Sequence, residues 1–348
     1  MTGPDASFPT VSVILPVRQE GQGFSATLSA VLAQDYPHVL EVLVVDGLSE
    51  DATREVVARM AAQDPRLKLL DNPGRIVPCA MNVGIRAARG TFIVRVDGHT
   101  IVAPDYVSRC VAAWRESGAS CVGGRMDAVG KTAVGRLVAL ATGSSFGVGN
   151  SHFHYSKEPR FTDSVYLGAW PRAALLEAGG FDEEMVRDQD DELNYRLGKL
   201  GGKIWLDPSI VSSYTPRGSL KKLWRQYYEY GLWKVRVLQK HASMLSARHF
   251  APSLFVLVGL AAALSAVVAP KGGLPLFVAG VAMYLVLGWI AAARLPATFR
   301  ERLVLPFVFF ILHAAYGTGF LVGLVRFLPR WFARDGGPGI ARRGEEML

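Results

Sequence analysis

Cysteine is scarce in this chain and never closely paired: three occur in 348 residues, at Cys79, Cys110 and Cys121, with no Cys-x-x-Cys. That excludes a disulfide framework and a thiolate metal site, and it fits reduced core thiols. No G-x-G-x-x-G follows the first apolar run, and no G-x-x-x-x-G-K-[ST] occurs. Neither a dinucleotide oxidoreductase nor a P-loop NTPase is therefore supported. The opening MTGPDASFPT lacks a basic leader and an apolar core, so the first 250 residues are expected to stay in the cytoplasm.

Long hydrophobic runs are missing from those residues and abundant after them. APSLFVLVGLAAALSAVVA (251–269), LPLFVAGVAMYLVLGWIAAA (274–293) and LVLPFVFFILHAAYGTGFLVGLVRFL (303–328) are nearly free of charge. Each is long enough to cross a bilayer of about 30 Å as a helix. The net charge of +8 gathers beside these runs, at Lys221, Lys222, Arg225, Lys234, Arg236, Lys240, Arg248, Arg294, Arg300 and Arg302. An anionic membrane surface explains that placement better than nucleic acid. With three crossings the loop around Arg294–Arg302 falls in the cytoplasm, as the positive-inside rule asks, but Arg326, Arg330, Arg334, Arg342 and Arg343 fall outside. Either the rule fails here or one segment is re-entrant.

From residue 10 apolar runs alternate with helical patterns. TVSVILPV, VLEVLVV (39–45), LKLL (67–70), TFIVRV (91–96) and ASCVGG (119–124) read as strands. Helices are expected between them, one capped by Ser49 and others over 76–89 and 104–117. This is a doubly wound, mostly parallel α/β sheet, whose ligands bind beyond the carboxyl ends of the strands. Residues 18–20, Asp46-Gly47, residues 72–75 and Asp97-Gly98-His99 stand there. Asp97 and His99 offer an oxygen and an imidazole to Mn²⁺ or Mg²⁺, although a polar turn would give the same string. Glu20 and Asp46 offer acceptors to a base or ribose, and Arg75 a cationic fork. Together they describe a nucleotide diphosphate pocket.

The strings VSVILPVRQE, LEVLVVDGLSEDAT, NPGRIVPCAMNVGIRAARGTFIVRVDGH, GGFDE and DQDDELNYRL resemble the family 2 glycosyltransferases of GT-A fold. The Asp-Gly-His form, TPRGSLKKLWRQYYEYG and HAAYGTG are similar to its membrane-bound succinoglycan-biosynthesis (ExoA-like) group. The resemblance implies an inverting transferase that moves one sugar from a nucleotide diphosphate, usually UDP, to a lipid-linked acceptor. It implies that Pro16, Glu20, Asp46, Arg75 and Asp97 bind the nucleotide sugar, with Asp97 and His99 holding metal. His99 stands where most relatives have Asp, and Gln189-Asp190 where they have Glu-Asp, which makes Asp190 the expected base with Asp188 and Asp191 as alternatives. Gly168, Ala169 and Trp170 are expected at the acceptor, Trp170 stacking on a sugar ring.

The expected organisation is a cytosolic GT-A domain over 1–218, an amphipathic interfacial helix over 219–250, about three transmembrane helices over 251–330 and a polar tail over 331–348. The interfacial stretch interleaves aromatics with Lys and Arg, so that Arg217, Arg225 or Lys234 could reach a lipid phosphate. Residues 141–156, rich in Gly, Ser and aromatics, read as a mobile loop. His313 within the last apolar run is either functional or hydrogen-bonded to a neighbouring helix. No Gln-x-x-Arg-Trp occurs, the string with which processive synthases of the resembled family hold a growing polymer, so the resemblance implies single addition. The expected protein lies in the inner (plasma) membrane, takes a polyprenyl-diphosphate glycan or a bare polyprenyl phosphate, and could meet polysaccharide assembly proteins. A non-catalytic nucleotide-binding subunit is the competing class.

Overall fold

The structure, a computed structural model, describes residues 8–244 and 247–331. The first seven residues and the expected polar tail from 332 lie outside the described residues. The described residues divide into two compact units: those up to Asp127 together with Ser156–Tyr214, and Ala128–Tyr155 together with those from Thr215 on. The expected continuous domain over 1–218 is thus interrupted. Val138 and Ala141 pack with Leu305, Phe309 and Leu312, which places 128–155 with the C-terminal helices.

In the first unit, β1 (Val11–Val17), β2 (Val39–Asp46), β3 (Leu67–Asp71) and β4 (Phe92–Arg95) pair in parallel, in the order β3-β2-β1-β4. β1 is buried along its whole length and β2 nearly so, as their unbroken apolar runs require when both faces are covered. Helices α1 (Phe24–Leu32), α2 (Thr53–Ala61) and α3 (Val77–Ala87) make the crossovers, and α4 (Tyr106–Ser117) follows β5 (Thr100–Val102). Beyond β4 the sheet continues through β8 (Tyr166–Pro171), β6 (Cys121–Ala128) and β9 (Ile204–Tyr214) to β5, with β7 (Arg160–Thr162) on β9. In this half β8 pairs antiparallel with β4 and β6, and β9 with β5 and β7, so the sheet is mixed, with its parallel part at β3-β2-β1-β4. Helix α2 begins at Thr53, not after a Ser49 cap.

The second unit holds α5 (Ala133–Thr142), α6 (Ser145–Val148), α9 (Leu220–Lys240), α10 (Ala247–Val268), α11 (Pro270–Ala293) and α12 (Phe299–Arg326). The last three are long and apolar enough to cross a membrane. The stretch read as a loop over 141–156 is instead largely short helix: α5 ends there, Ser144 caps α6, and His152–His154 form a 3₁₀ turn. His313 on α12 takes the second of its two readings, with Nδ1 2.9 Å from the Tyr284 hydroxyl of α11 and Nε2 2.8 Å from the Phe146 carbonyl. A carbonyl only accepts, so Nε2 carries the proton and Tyr284 donates to Nδ1.

Candidate active site

The first unit brings one buried cation and two acids together beyond β4. Arg95, the last residue of that strand, is 4% exposed. Its Nε donates to Asp97 Oδ1 at 2.8 Å and its Nη1 to Asp190 Oδ1 at 2.5 Å. Burial alone would pull the guanidinium pKa down, but Asp190 and Asp97 more than reverse this, so Arg95 stays charged. Asp190 keeps 35% of its side-chain surface accessible. Even so, loss of solvent is the largest influence on it, and with Asp97 and Asp191 it outweighs Arg95 and pushes the carboxyl up to about 6. Tyr166 lies nearby, its hydroxyl 3.0 Å from Thr100 Oγ1 and its pKa raised by burial and by Asp97.

Asp190 is held by a chain of contacts reaching back to α3. It sits in the first turn of α8 (Gln189–Lys199) beside Asp191 and Glu192, where the helix dipole favours negative charge. Glu192 pairs with Arg196, which also donates to the carbonyls of Ala178 and Gly180. The following Phe181 is clamped from α3: Asn82 Nδ2 donates to its carbonyl and Asn82 Oδ1 accepts its N–H, both at 2.8 Å. The helix that carries Asp190 is thereby tied to the parallel half of the sheet.

The strand ends carry backbone strain that sequence pattern does not reveal. Gln19, Leu48 and Arg75 follow β1, β2 and β3, and each takes a left-handed φ of +59°. Leu167 in β8 and Asp188 before α8 do likewise, at +64° and +58°. Such residues cost about 1–3 kcal/mol each and gather at functional sites. Asp46 is fully buried and its carboxylate is engaged locally, accepting from Ser49 N at 3.0 Å, Ser49 Oγ at 2.5 Å and Arg54 Nη1 at 2.8 Å. Ser49 thus braces this turn and also accepts from Gln19 N at 2.8 Å. Pro16 lies within β1 on the edge from which Ile14 accepts the Val96 N–H, just past the end of β4. Its missing N–H therefore breaks no ladder bond. Arg75 is exposed.

His99 is half exposed, with Nδ1 3.7 Å from Glu20 Oε1 and its ring at a T-shaped angle to Tyr214. A Cβ at Gly98, between Asp97 and His99, would stand 2.8 Å from the Glu20 side chain and push it aside. Among the described residues no three His, Cys, Asp or Glu side chains converge on a metal-sized space. A carboxylate and an imidazole nonetheless suit Mn²⁺, if substrate oxygens and water complete the shell.

Gly168, Ala169 and Trp170, expected at the acceptor, are part of the sheet. All three lie in β8, where Ala169 pairs with Val94 and Val122, and Trp170 is 2% exposed with its ring edge-on to Phe181. Gly168, at φ +88°, makes room for that indole, which would stand 2.4 Å from an added Cβ. They form core rather than an open acceptor wall. Arg217 and Arg225 belong to the second unit, where they donate to Gln226 at 3.3 Å and Glu229 at 3.0 Å. Arg95 and Asn82 carry weight that the sequence reading missed. The available signals were one arginine inside an apolar strand and one asparagine on the inner face of α3.

A parallel half-sheet with acids beyond its strand ends, continued antiparallel, defines a GT-A-like architecture. In fold, the chain is similar to the mannosyltransferase PcManGT of Pyrobaculum calidifontis, solved with GDP-Man and Mn²⁺: the TM-score is 0.57, identity is 21%, and 91% of this chain and 87% of that one are covered. Residues 12–179 match the family described as Glycosyl transferase family 2. The chain is 31% identical to the succinoglycan biosynthesis protein ExoA of Rhizobium meliloti, over 69% of its own length and 73% of the relative's. It is also 28% identical to a dolichyl N-acetyl-α-D-glucosaminyl phosphate 3-β-D-2,3-diacetamido-2,3-dideoxy-β-D-glucuronosyltransferase of Methanococcus voltae, over 91% and 97%. The chain belongs to glycosyl transferase family 2 and is a glycosyltransferase.

Proposed function

We propose that the protein is an inverting, metal-dependent transferase of the inner membrane. It adds one sugar, from UDP-glucose or a similar nucleotide diphosphate sugar, to a polyprenyl-diphosphate-linked glycan, with its α/β unit in the cytoplasm. The observation that carries the reading is Arg95 between Asp97 and Asp190, one carboxylate for the donor side and one for the acceptor. Two relatives support the setting, since one is named for succinoglycan biosynthesis and the other for transfer to a dolichyl-linked sugar phosphate.

Inversion requires the acceptor hydroxyl to attack the anomeric carbon opposite the departing diphosphate while a base takes its proton. Asp190 is that base: with its pKa near 6 it is ionised at neutral pH and still basic enough to accept a proton. Arg95 holds it in place and keeps the two acids from repelling each other. Asp97 and His99 would hold Mn²⁺ or Mg²⁺, which supplies positive charge to the leaving diphosphate. Glu20, Pro16 and Arg75 border the nucleoside, and Asp46 shapes that border by bracing its turn. Arg217 and Arg225 offer charge to the acceptor's phosphates.

The test is nucleotide release by the detergent-purified protein with Mn²⁺, a panel of UDP-sugars and native lipid extract. Lipid-dependent release from one donor, lost in Asp190→Asn and in Asp97→Ala, is the expected result. Binding of UDP without turnover of any sugar would instead leave a nucleotide-binding subunit.

A further inference from the structure

Three helices of the second unit are apolar enough to cross a bilayer, yet they do not pack as three equivalent spans. Helix α12 is half buried, whereas only 6% and 11% of the apolar windows on α10 and α11 are. The largest part of its cover is α9, which lies alongside it. Leu223 packs among Leu305, Val308, Phe309 and Leu312. Cβ atoms added at Gly231 and Gly319 would stand 2.0 Å from the Tyr316 and Tyr228 carbonyls, and one at Gly323 would stand 2.7 Å from that of Leu232. Gln239 Nε2 closes the contact on the Phe327 carbonyl at 2.9 Å. The helices therefore run side by side from Leu223 to Gln239, about 24 Å at 1.5 Å per residue.

That pairing decides where α12 can lie. Were it to stand upright in hydrocarbon, α9 would stand with it and bring Arg225, Glu229, Lys234, Arg236 and Lys240 along. An ion near the bilayer centre costs roughly 2.5–3.5 kcal/mol, so a companion helix this rich in charge works against the insertion that α12's apolar residues favour. By contrast, α10 and α11 form a hairpin whose only Asp, Glu, Lys or Arg between Phe250 and Ala293 is Lys271, at its turn. Helix α12 meets this hairpin near its open end, through Phe250, Pro252, Phe255 and Val256 of α10 and Tyr284, Gly288 and Ala292 of α11. Toward the turn, Leu257, Leu260, Leu264, Val267, Leu276 and Met283 are exposed.

We propose that only α10 and α11 cross the bilayer, and that α9 and α12 form a layer in the plane of its cytoplasmic face. In that layer α12 turns Phe299, Leu303, Phe307, Phe310 and Val325, all exposed, toward the acyl chains. Helix α9 keeps Lys221, Lys222 and Arg225 at the level of anionic headgroups. The arrangement also eases the charge conflict of a three-span reading, because among the described residues Arg326 and Arg330 return to the cytoplasmic side while Lys271 lies across.

The inference rests on the membrane placement in the proposed function and not on its sugar chemistry. Two variants of the full chain, Lys271→Cys and Arg330→Cys, are treated in intact spheroplasts with a membrane-impermeant maleimide. Both positions are exposed. The expected result is labelling at 271 from outside and labelling at 330 only after permeabilisation. Labelling of 330 from outside, or of neither from outside, overturns the proposal. Alkaline carbonate extraction separates the two levels: a protein released into the supernatant refutes the membrane placement itself, whereas one retained but labelled at 330 refutes only the two-span layer.

Discussion

Arg95 answers to two acids, and its substitution separates their roles. Removing one partner from a buried, hydrogen-bonded ion set costs about 3–5 kcal/mol, so Arg95→Ala is expected to destabilise the α/β unit as well as silence it. Arg95→Lys is more informative, because it keeps the charge and loses the fork that reaches both Asp97 Oδ1 and Asp190 Oδ1. Asp190, at about 6, gives the parent enzyme an acid limb near that pH, with turnover falling tenfold per unit below it. Because Arg95 pulls that pKa down, weakening its hold moves the limb to higher pH in the Lys variant, and a kcat–pH profile reads the shift. Asp190→Asn should lose about 10²–10⁴-fold in kcat with donor affinity unchanged. An equal loss of nucleotide binding, measured by titration, would move Asp190 from base to scaffold.

Among the elements, the parallel strands are joined at their amino-terminal side by a buried acid. Glu41 in β2 accepts from Ser12 Oγ and Lys68 Nζ at 2.8 Å, from Arg89 N at 2.7 Å and from Arg89 Nε at 3.1 Å. Burial alone would raise its pKa, but these donors bring it down to about 2 from the ordinary 4.5. The native carboxyl binds its proton less readily than the unfolded one, so this stabilisation is complete above pH 4.5 and is lost as pH falls toward 2. It amounts to roughly 3 kcal/mol. Glu41→Gln should therefore melt lower than the parent at pH 7, with the gap closing on acidification. The strands were legible because parallel strands buried on both faces read as plain apolar runs, and the alternation of strand and helix located Asp97 at a strand end. What joins them was not: Asp190 lies 95 residues from Arg95, and no local pattern reports that contact. Trp170 was misplaced for a related reason, since an aromatic beside glycine suits both a sugar platform and a core strand, and only the neighbours Ile93 and Phe181 distinguish the two.

At the scale of the whole molecule the two units rest on different chemistry, and unfolding should expose the difference. The α/β unit is held by a water-driven core running from Val11 and Val13 through Phe92 and Val94 to Ile210. The helical unit is held by close backbone approaches at Gly231, Gly317, Gly319 and Gly323, which persist where lipid or detergent replaces water. Urea weakens the first kind of contact far more than the second, because it acts by solvating surface that unfolding exposes to water. The full chain in mild detergent should thus lose its structure in two steps, the α/β unit first, which is the expected departure from two-state behaviour when separate cores share one chain. Glu41→Gln should lower the midpoint of the first step alone. Gly319→Val should lower the second alone, since its new side chain meets the Tyr228 carbonyl inside van der Waals distance. The double variant should show each shift undiminished at its own step, as sites without shared partners do. Hydrogen exchange followed by peptide mapping reads the two units separately, and a single transition that both substitutions move together would show that they unfold as one.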